Sequence, residues 1–147
     1  MPDITGVFSG TFTSQTLVLS RDQPNHLLSL AEIDGVQRSS DPDWDGVKMS
    51  FWGTRDVQSG LGTERGYFVN EHPGGDRCWG SLEGTVVQTE TSLTAEGTFR
   101  FTGGSGKFNG ITGQGKYRGR MTSPITVETE WTATYQVAGT KTAAGAA

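Results

Sequence analysis

Over long stretches of this chain glycine and aromatic residues hold every second position, with polar residues between them. Gly6, Phe8, Gly10 and Phe12 open the series, followed by Met49, Phe51 and Gly53, and by Gly66, Phe68 and Asn70. It continues at Cys78, Gly80, Leu82, Gly84 and Val86, then at Ala95, Gly97, Phe99 and Phe101. Gly115, Tyr117, Gly119 and Met121 follow, and Val127, Thr129, Trp131, Ala133, Tyr135 and Val137 close it. The intervening residues are mostly charged or threonine, as in Glu96, Thr98, Arg100 or Lys116, Arg118, Arg120. Strand side chains point alternately to two faces, so each stretch reads as a strand with one apolar and one solvated face.

No window of ten or more residues keeps the apolar spacing of an amphipathic helix. Asn25 to Ile33 is the one ambiguous stretch, because Leu27, Leu28, Leu30 and Ala31 could also line a short helix. Eight strands are expected, at about 4–13, 26–33, 47–56, 62–72, 77–89, 94–102, 113–122 and 125–137. Turns are expected at Gly35, Gly60, Pro73-Gly74-Gly75-Asp76, Gly103-Gly104 and Ser123-Pro124. Short sequential strands with tight turns suggest an all-β, antiparallel up-and-down meander that closes into a calycin-like barrel. Closure removes the sheet edges that invite aggregation. The 22 glycines in 147 residues, about twice the usual share, then relieve crowding where a small barrel bends its strands. A two-sheet sandwich is the rival, and it needs longer crossing connections. The expected organisation is one barrel domain over 1–137 and a flexible tail over 138–147.

Charge and motifs exclude more than they identify. Twelve Lys and Arg against sixteen Asp and Glu give a net charge of -4, which argues against nucleic acid as a partner. No apolar run is long enough for a helical membrane span and no leader-like segment is seen, so no membrane partner and a cytoplasmic location are expected. One Cys allows no intrachain disulfide, and two histidines leave little for a multi-His metal site, so no cofactor and no metal are expected. Gly103-Gly104-Ser105-Gly106-Lys107 lacks the spacing of a phosphate loop and the helix that would follow it. Asp41-Pro42-Asp43-Trp44-Asp45-Gly46 begins like a calcium loop, but Trp52 stands where the bidentate Glu belongs; it reads as a turn-rich connection.

The apolar face carries the functional reading. Turned inward, it presents Phe51, Phe68, Phe99, Trp131 and Tyr135 as candidate substrate contacts, with Asn70 among them. Glu64 or His72 is the candidate proton-transfer residue, helped by Tyr117 as a hydrogen-bond partner, and Arg55 lies near the strand ends. A five-residue turn between strands four and five would set Cys78 opposite His72, a candidate thiol–imidazole pair. The alternative is that Cys78 is a small buried hydrophobe and His72 a rim residue. Either a ligand cavity or a lumen packed with its own side chains fits the pattern.

The segment Ala95–Gly115, AEGTFRFTGGSGKFNGITGQG, resembles the strand–loop–strand signature of the small eight-stranded barrels related to allene oxide cyclases and dirigent proteins. Bacterial barrel proteins of unassigned function carry a similar turn, and the likeness extends over roughly 80–122. The resemblance implies a closed barrel with an apolar central cavity, working without a cofactor on a reactive hydrophobic molecule, and often trimeric in the plant relatives. It also implies Glu64, Asn70 and Cys78 as counterparts of the Glu, Asn and Cys of the cyclase pocket. The expected function is therefore a cofactor-independent isomerase, cyclase or lyase acting on a hydrophobic small molecule; the alternative is a non-catalytic carrier. A homo-oligomer, dimer or trimer, built on the outward residues Tyr67, Val69, Trp79 and Val87 is a further expectation.

Overall fold

A computed structural model describes residues 3–138. These residues form β1 (Asp3–Ser20), β2 (His26–Arg38), β3 (Lys48–Gln58), β4 (Leu61–Glu71), β5 (Arg77–Gln88), β6 (Leu93–Ser105), β7 (Thr112–Ser123) and β8 (Thr126–Gln136). Each strand pairs antiparallel with the next, and β8 returns to β1, with Asp3 opposite Thr134 and Thr11 opposite Thr126. The expected eight-stranded up-and-down barrel is the observed fold. Asn25–Ile33 is strand apart from its first residue, and the expected tail lies, from residue 139 on, outside the described residues.

The strand register explains why glycine alternates with aromatics. Glu64, Gly84, Gly97 and Tyr117 lie opposite one another across β4, β5, β6 and β7. The two glycines leave that row of the wall bare, and the Tyr117 side chain lies across it; a Cβ at Gly84 would collide with the Tyr117 hydroxyl. Trp131 lies in the same way against Gly6, its partner across the β1–β8 seam. Glycine here makes room for rings lying flat on the wall.

Two expected turns are strand instead. Gly35 is paired with both Gly10 and Met49, and a Cβ there would strike the Ser9 carbonyl, so close strand approach and not a turn selects glycine. β6 runs through Gly103 and Gly104, opposite Trp79 and Cys78, after a bulge that absorbs Thr102. The chain turns later, through a single 3-10 turn at Gly106–Phe108, where Gly106 has φ +63°. The β4–β5 register also differs from expectation: Cys78 pairs with Asn70, and Gly80 with Phe68. The slip is two residues, so every side chain keeps its face. β1 continues to Ser20, and beyond Phe12 it pairs only with β2, carrying Leu17, Val18 and Leu19 exposed past the rim.

The two ends of the barrel differ. One carries the four connections β1–β2, β3–β4, β5–β6 and β7–β8. The other carries β2–β3, β4–β5 and β6–β7, and there the loop 39–47 folds inward to form a floor. Asp41 organises that loop: its carbonyl accepts from the Trp44 and Asp45 N–H groups at 3.0 Å, and its Oδ1 from the Asp43 N–H at 2.9 Å. Gly46, at φ +79°, returns the chain to β3. The product is Trp44 pushed into the barrel, 1% exposed, with its ring 4.8 Å from His72, 5.7 Å from Trp131 and 5.6 Å from Tyr135 between centroids. Trp44 plugs the lumen from below.

Candidate functional site

Above Trp44 lies a cavity of about 100 Å³. A cavity of about 150 Å³ holds one benzene, so this space suits a molecule no larger than a small ring or short branched chain. Phe8, Ile33, Met49, Phe51, Phe68, Leu82, Phe99, Phe101 and Val127 are among the apolar residues of its wall. Met121 and Arg120 lie on the wall toward the end opposite the Trp44 floor.

Two polar groupings interrupt the apolar wall. Nearer the floor, the Trp131 indole N–H donates to Gln37 Oε1 at 2.8 Å, and Gln37 Nε2 donates to Asn70 Oδ1 at 3.3 Å and toward Met49 Sδ at 3.2 Å. Gln37 and Asn70 are 3% and 2% exposed, so their amides are satisfied by one another and not by solvent. Higher up, Arg55 and Glu64 are direct cross-strand partners on β3 and β4. Arg55 Nε donates to Glu64 Oε1 at 2.9 Å, and the Tyr117 hydroxyl donates to Glu64 Oε2 at 2.6 Å. Both Glu64 oxygens accept, the pattern of a carboxylate. Burial, and then the neighbouring Glu64 charge, push the Tyr117 phenol well above its ordinary range, so it stays a donor. Among the described residues no buried side-chain nitrogen or oxygen lacks a partner.

The residues anticipated from sequence divide at Trp44. Glu64, Tyr117, Phe51, Phe68, Asn70, Phe99 and Trp131 all line the cavity. His72, Cys78 and Tyr135 do not line it; His72 and Tyr135 pack against Trp44, and the Tyr135 hydroxyl accepts from the Trp44 indole N–H at 3.4 Å. Cys78 Sγ does meet His72 Nε2, at 3.7 Å, but His72 is 3% exposed and no rim residue. The Asp43 carbonyl, 2.9 Å from His72 Nδ1, requires a proton on Nδ1 and leaves Nε2 as the acceptor. Burial lowers the His72 pKa and pushes the Cys78 thiol up to about 12. The pair is a buried thiol and neutral imidazole, the opposite of an activated thiolate. Sequence reasoning missed Gln37 and Trp44. Gln37 continues the inward series Ile33, Gly35 beyond the point where β2 was expected to end, and a lone Trp in an Asp-rich loop was the one sign of the floor.

The second histidine sits at the β1–β2 turn. His26 Nδ1 is 2.7 Å from Asp22 Oδ1 and its Nε2 is 2.6 Å from Asp56 Oδ1, so one protonated ring bridges two carboxylates. Those hydrogen bonds, Asp22 foremost, raise the His26 pKa. The two histidines should therefore titrate on opposite sides of the ordinary imidazole value of 6.5, His26 above and His72 below, in an NMR pH series of the ring signals. The signs for stability are also opposite. A raised folded-state pKa means that the His26 contribution is present below 6.5 and lost as pH rises through its folded value. His72, held neutral, instead costs stability as pH falls below 6.5. His26→Asn should abolish the loss on the alkaline side and leave the acid side unchanged.

No family model matches this chain, and no curated protein matches it. Among solved structures it is similar to the pterocarpan synthase dirigent protein GePTS1, at 11% identity and TM-score 0.49, covering 92% of this chain and 90% of that one. It is also similar to the pterocarpan synthase dirigent protein PsPTS1, at 14% identity and TM-score 0.47, covering 90% and 93% of the two chains. The likeness is one of fold. Among the described residues no three His, Cys, Asp or Glu side chains are grouped to hold a metal, and no helix is long and apolar enough to cross a membrane.

Proposed function

We propose that the lumen binds a compact hydrophobic molecule and that Glu64 and Tyr117 move a proton on it, making the protein a cofactor-independent isomerase, cyclase or lyase. The observation that carries this reading is a carboxylate–phenol pair, backed by Arg55, on the wall of an otherwise apolar cavity. A buried ion pair is a poor source of stability compared with apolar side chains of the same size, so a barrel built only to pack itself gains little from one. A ligand oxygen entering beside Tyr117 takes over its hydroxyl hydrogen bond, which frees Glu64 Oε2 to accept a proton from the adjacent carbon. The resulting enolate oxygen stays hydrogen-bonded to Tyr117, and Glu64 returns the proton to the same carbon or, where a conjugated double bond extends the enolate, to the γ carbon. Atoms and charge balance without an added reactant. Shape supplies the rest, since Trp44 below and the aromatic wall hold the molecule in one orientation.

Acetone, smaller than benzene, suits a cavity of about 100 Å³ and reports this chemistry without knowledge of the natural substrate. In deuterated buffer the protein should accelerate exchange of its α-protons, followed by NMR, and Glu64→Gln should reduce that rate roughly a hundredfold or more. Binding of the ketone by Glu64→Gln should persist. Exchange no faster than in buffer, with binding intact, would assign the protein to the second class, a carrier, and remove the catalytic reading.

A further inference from the structure

We propose that Glu64 sets the charge of the molecule the lumen accepts, admitting neutral ligands and excluding carboxylates. The inference rests on the lumen being the binding site. Three charged residues line the cavity, Arg55, Glu64 and Arg120. Arg120 is largely exposed, and its guanidinium is 3.3 Å from Glu128. The inner charges are therefore Arg55 and Glu64, with side chains 19% and 8% exposed, and they cancel. The remaining polar groups facing the space, from Gln37, Asn70, Tyr117, Thr129 and Trp131, are neutral.

A carboxylate entering such a space gives up its hydration and gains little in return. Attraction to the Arg55 guanidinium is offset by repulsion from the Glu64 carboxylate 2.9 Å from it, and in an apolar wall both act at close range. A neutral hydroxyl or carbonyl meets neither cost, and the Tyr117 hydroxyl and the guanidinium N–H groups not facing Glu64 can serve it. Removing the Glu64 charge alone inverts the balance. Arg55 then stands uncompensated, and its planar fork matches a carboxylate with two parallel hydrogen bonds. Glu64 is thus a selectivity residue as well as a proton acceptor.

1-Propanol and propionate share a three-carbon skeleton that suits a cavity of about 100 Å³ and differ in charge near neutral pH. In NMR titrations of the Met49 and Met121 methyl signals, the unaltered protein should bind the alcohol about tenfold or more tightly than the acid. Glu64→Gln, which keeps the size of the side chain and an acceptor for Tyr117, should reverse that preference. Adding Arg55→Met to Glu64→Gln should remove the gained affinity for propionate and leave the alcohol bound. Equal affinities in the unaltered protein, or an unchanged preference in a folded Glu64→Gln variant, would overturn the proposal. Should Glu64→Gln not fold, Glu64→Ala, which also leaves Arg55 uncompensated, supplies the same comparison. Failure of both compounds to bind would instead overturn the binding reading itself, and the two failures are thereby told apart.

Discussion

Replacing Trp44 with alanine should destabilise the protein by about 3–5 kcal/mol in urea unfolding, the usual cost of deleting a large buried aromatic side chain. Trp44 is 1% exposed and packs on His72, Phe101, Phe108, Trp131 and Tyr135, so no neighbour can collapse into the space without leaving its own wall position. The loop that delivers it is fixed independently, by Asp41 and by the Lys107–Asp43 ion pair at 3.2 Å, so the void should persist. A second consequence separates a floor from ordinary core. Cys78 is fully buried and its thiol is held protonated. With Trp44 gone, the lumen runs through to the Cys78–His72 pair, and a small thiol reagent should label Cys78 many times faster than in the intact protein. Trp44→Phe should keep most of the protection. A loss under about 1 kcal/mol, the level of a surface substitution, with Cys78 still protected, would show that Trp44 closes nothing.

Arg55→Leu should be nearly as damaging, about 3 kcal/mol, because it strands the Glu64 carboxylate in an apolar wall with only the Tyr117 hydroxyl to serve it. The figure is at the low end of the range for broken buried pairs because Arg55 keeps some contact with solvent. Replacing both members, Arg55→Leu with Glu64→Leu, should recover most of the loss, since neither charge is then left unpaired. Thermal or urea unfolding of the two single variants and the double variant forms a cycle that isolates the pair. A double variant as unstable as Arg55→Leu would mean that the pair holds the barrel together and is not a functional expense.

The barrel was legible because its period-two pattern is continuous and each strand turns its apolar face the same way. Gly84 and Gly97 opposite Tyr117 illustrate this: the sequence shows small and large residues alternating, and the fold makes that alternation a flat ring on a bare wall. The Glu64–Tyr117 association was legible in residue type, and their 2.6 Å contact depends on a register that four strands set jointly. Two kinds of feature were hidden. Gly35 and Gly103-Gly104 have turn chemistry by composition, yet Gly35 is held in its strand by pairing on either side and Gly103-Gly104 by pairing with β5. Reading Gly35 as a turn shortened β2 and concealed Gln37. Trp44 was hidden because its burial comes from a loop folding back into the barrel, which no periodicity records. Without that floor, the position of Cys78, His72 and Tyr135 beneath it could not be inferred, and all three looked like lumen residues.

A ligand should bind in the space between Trp44 and the opposite end of the barrel. Methyl-resolved NMR during titration with acetone tests this, because Met49, Met121, Ile33 and Val127 line that space while Leu17 and Leu19 stand exposed on the β1–β2 hairpin. The lumen methyl signals should shift together and saturate along one binding curve, with the hairpin signals unmoved. Lumen signals that stay fixed up to millimolar ketone, or that shift no more than those of Leu17 and Leu19, would contradict the account.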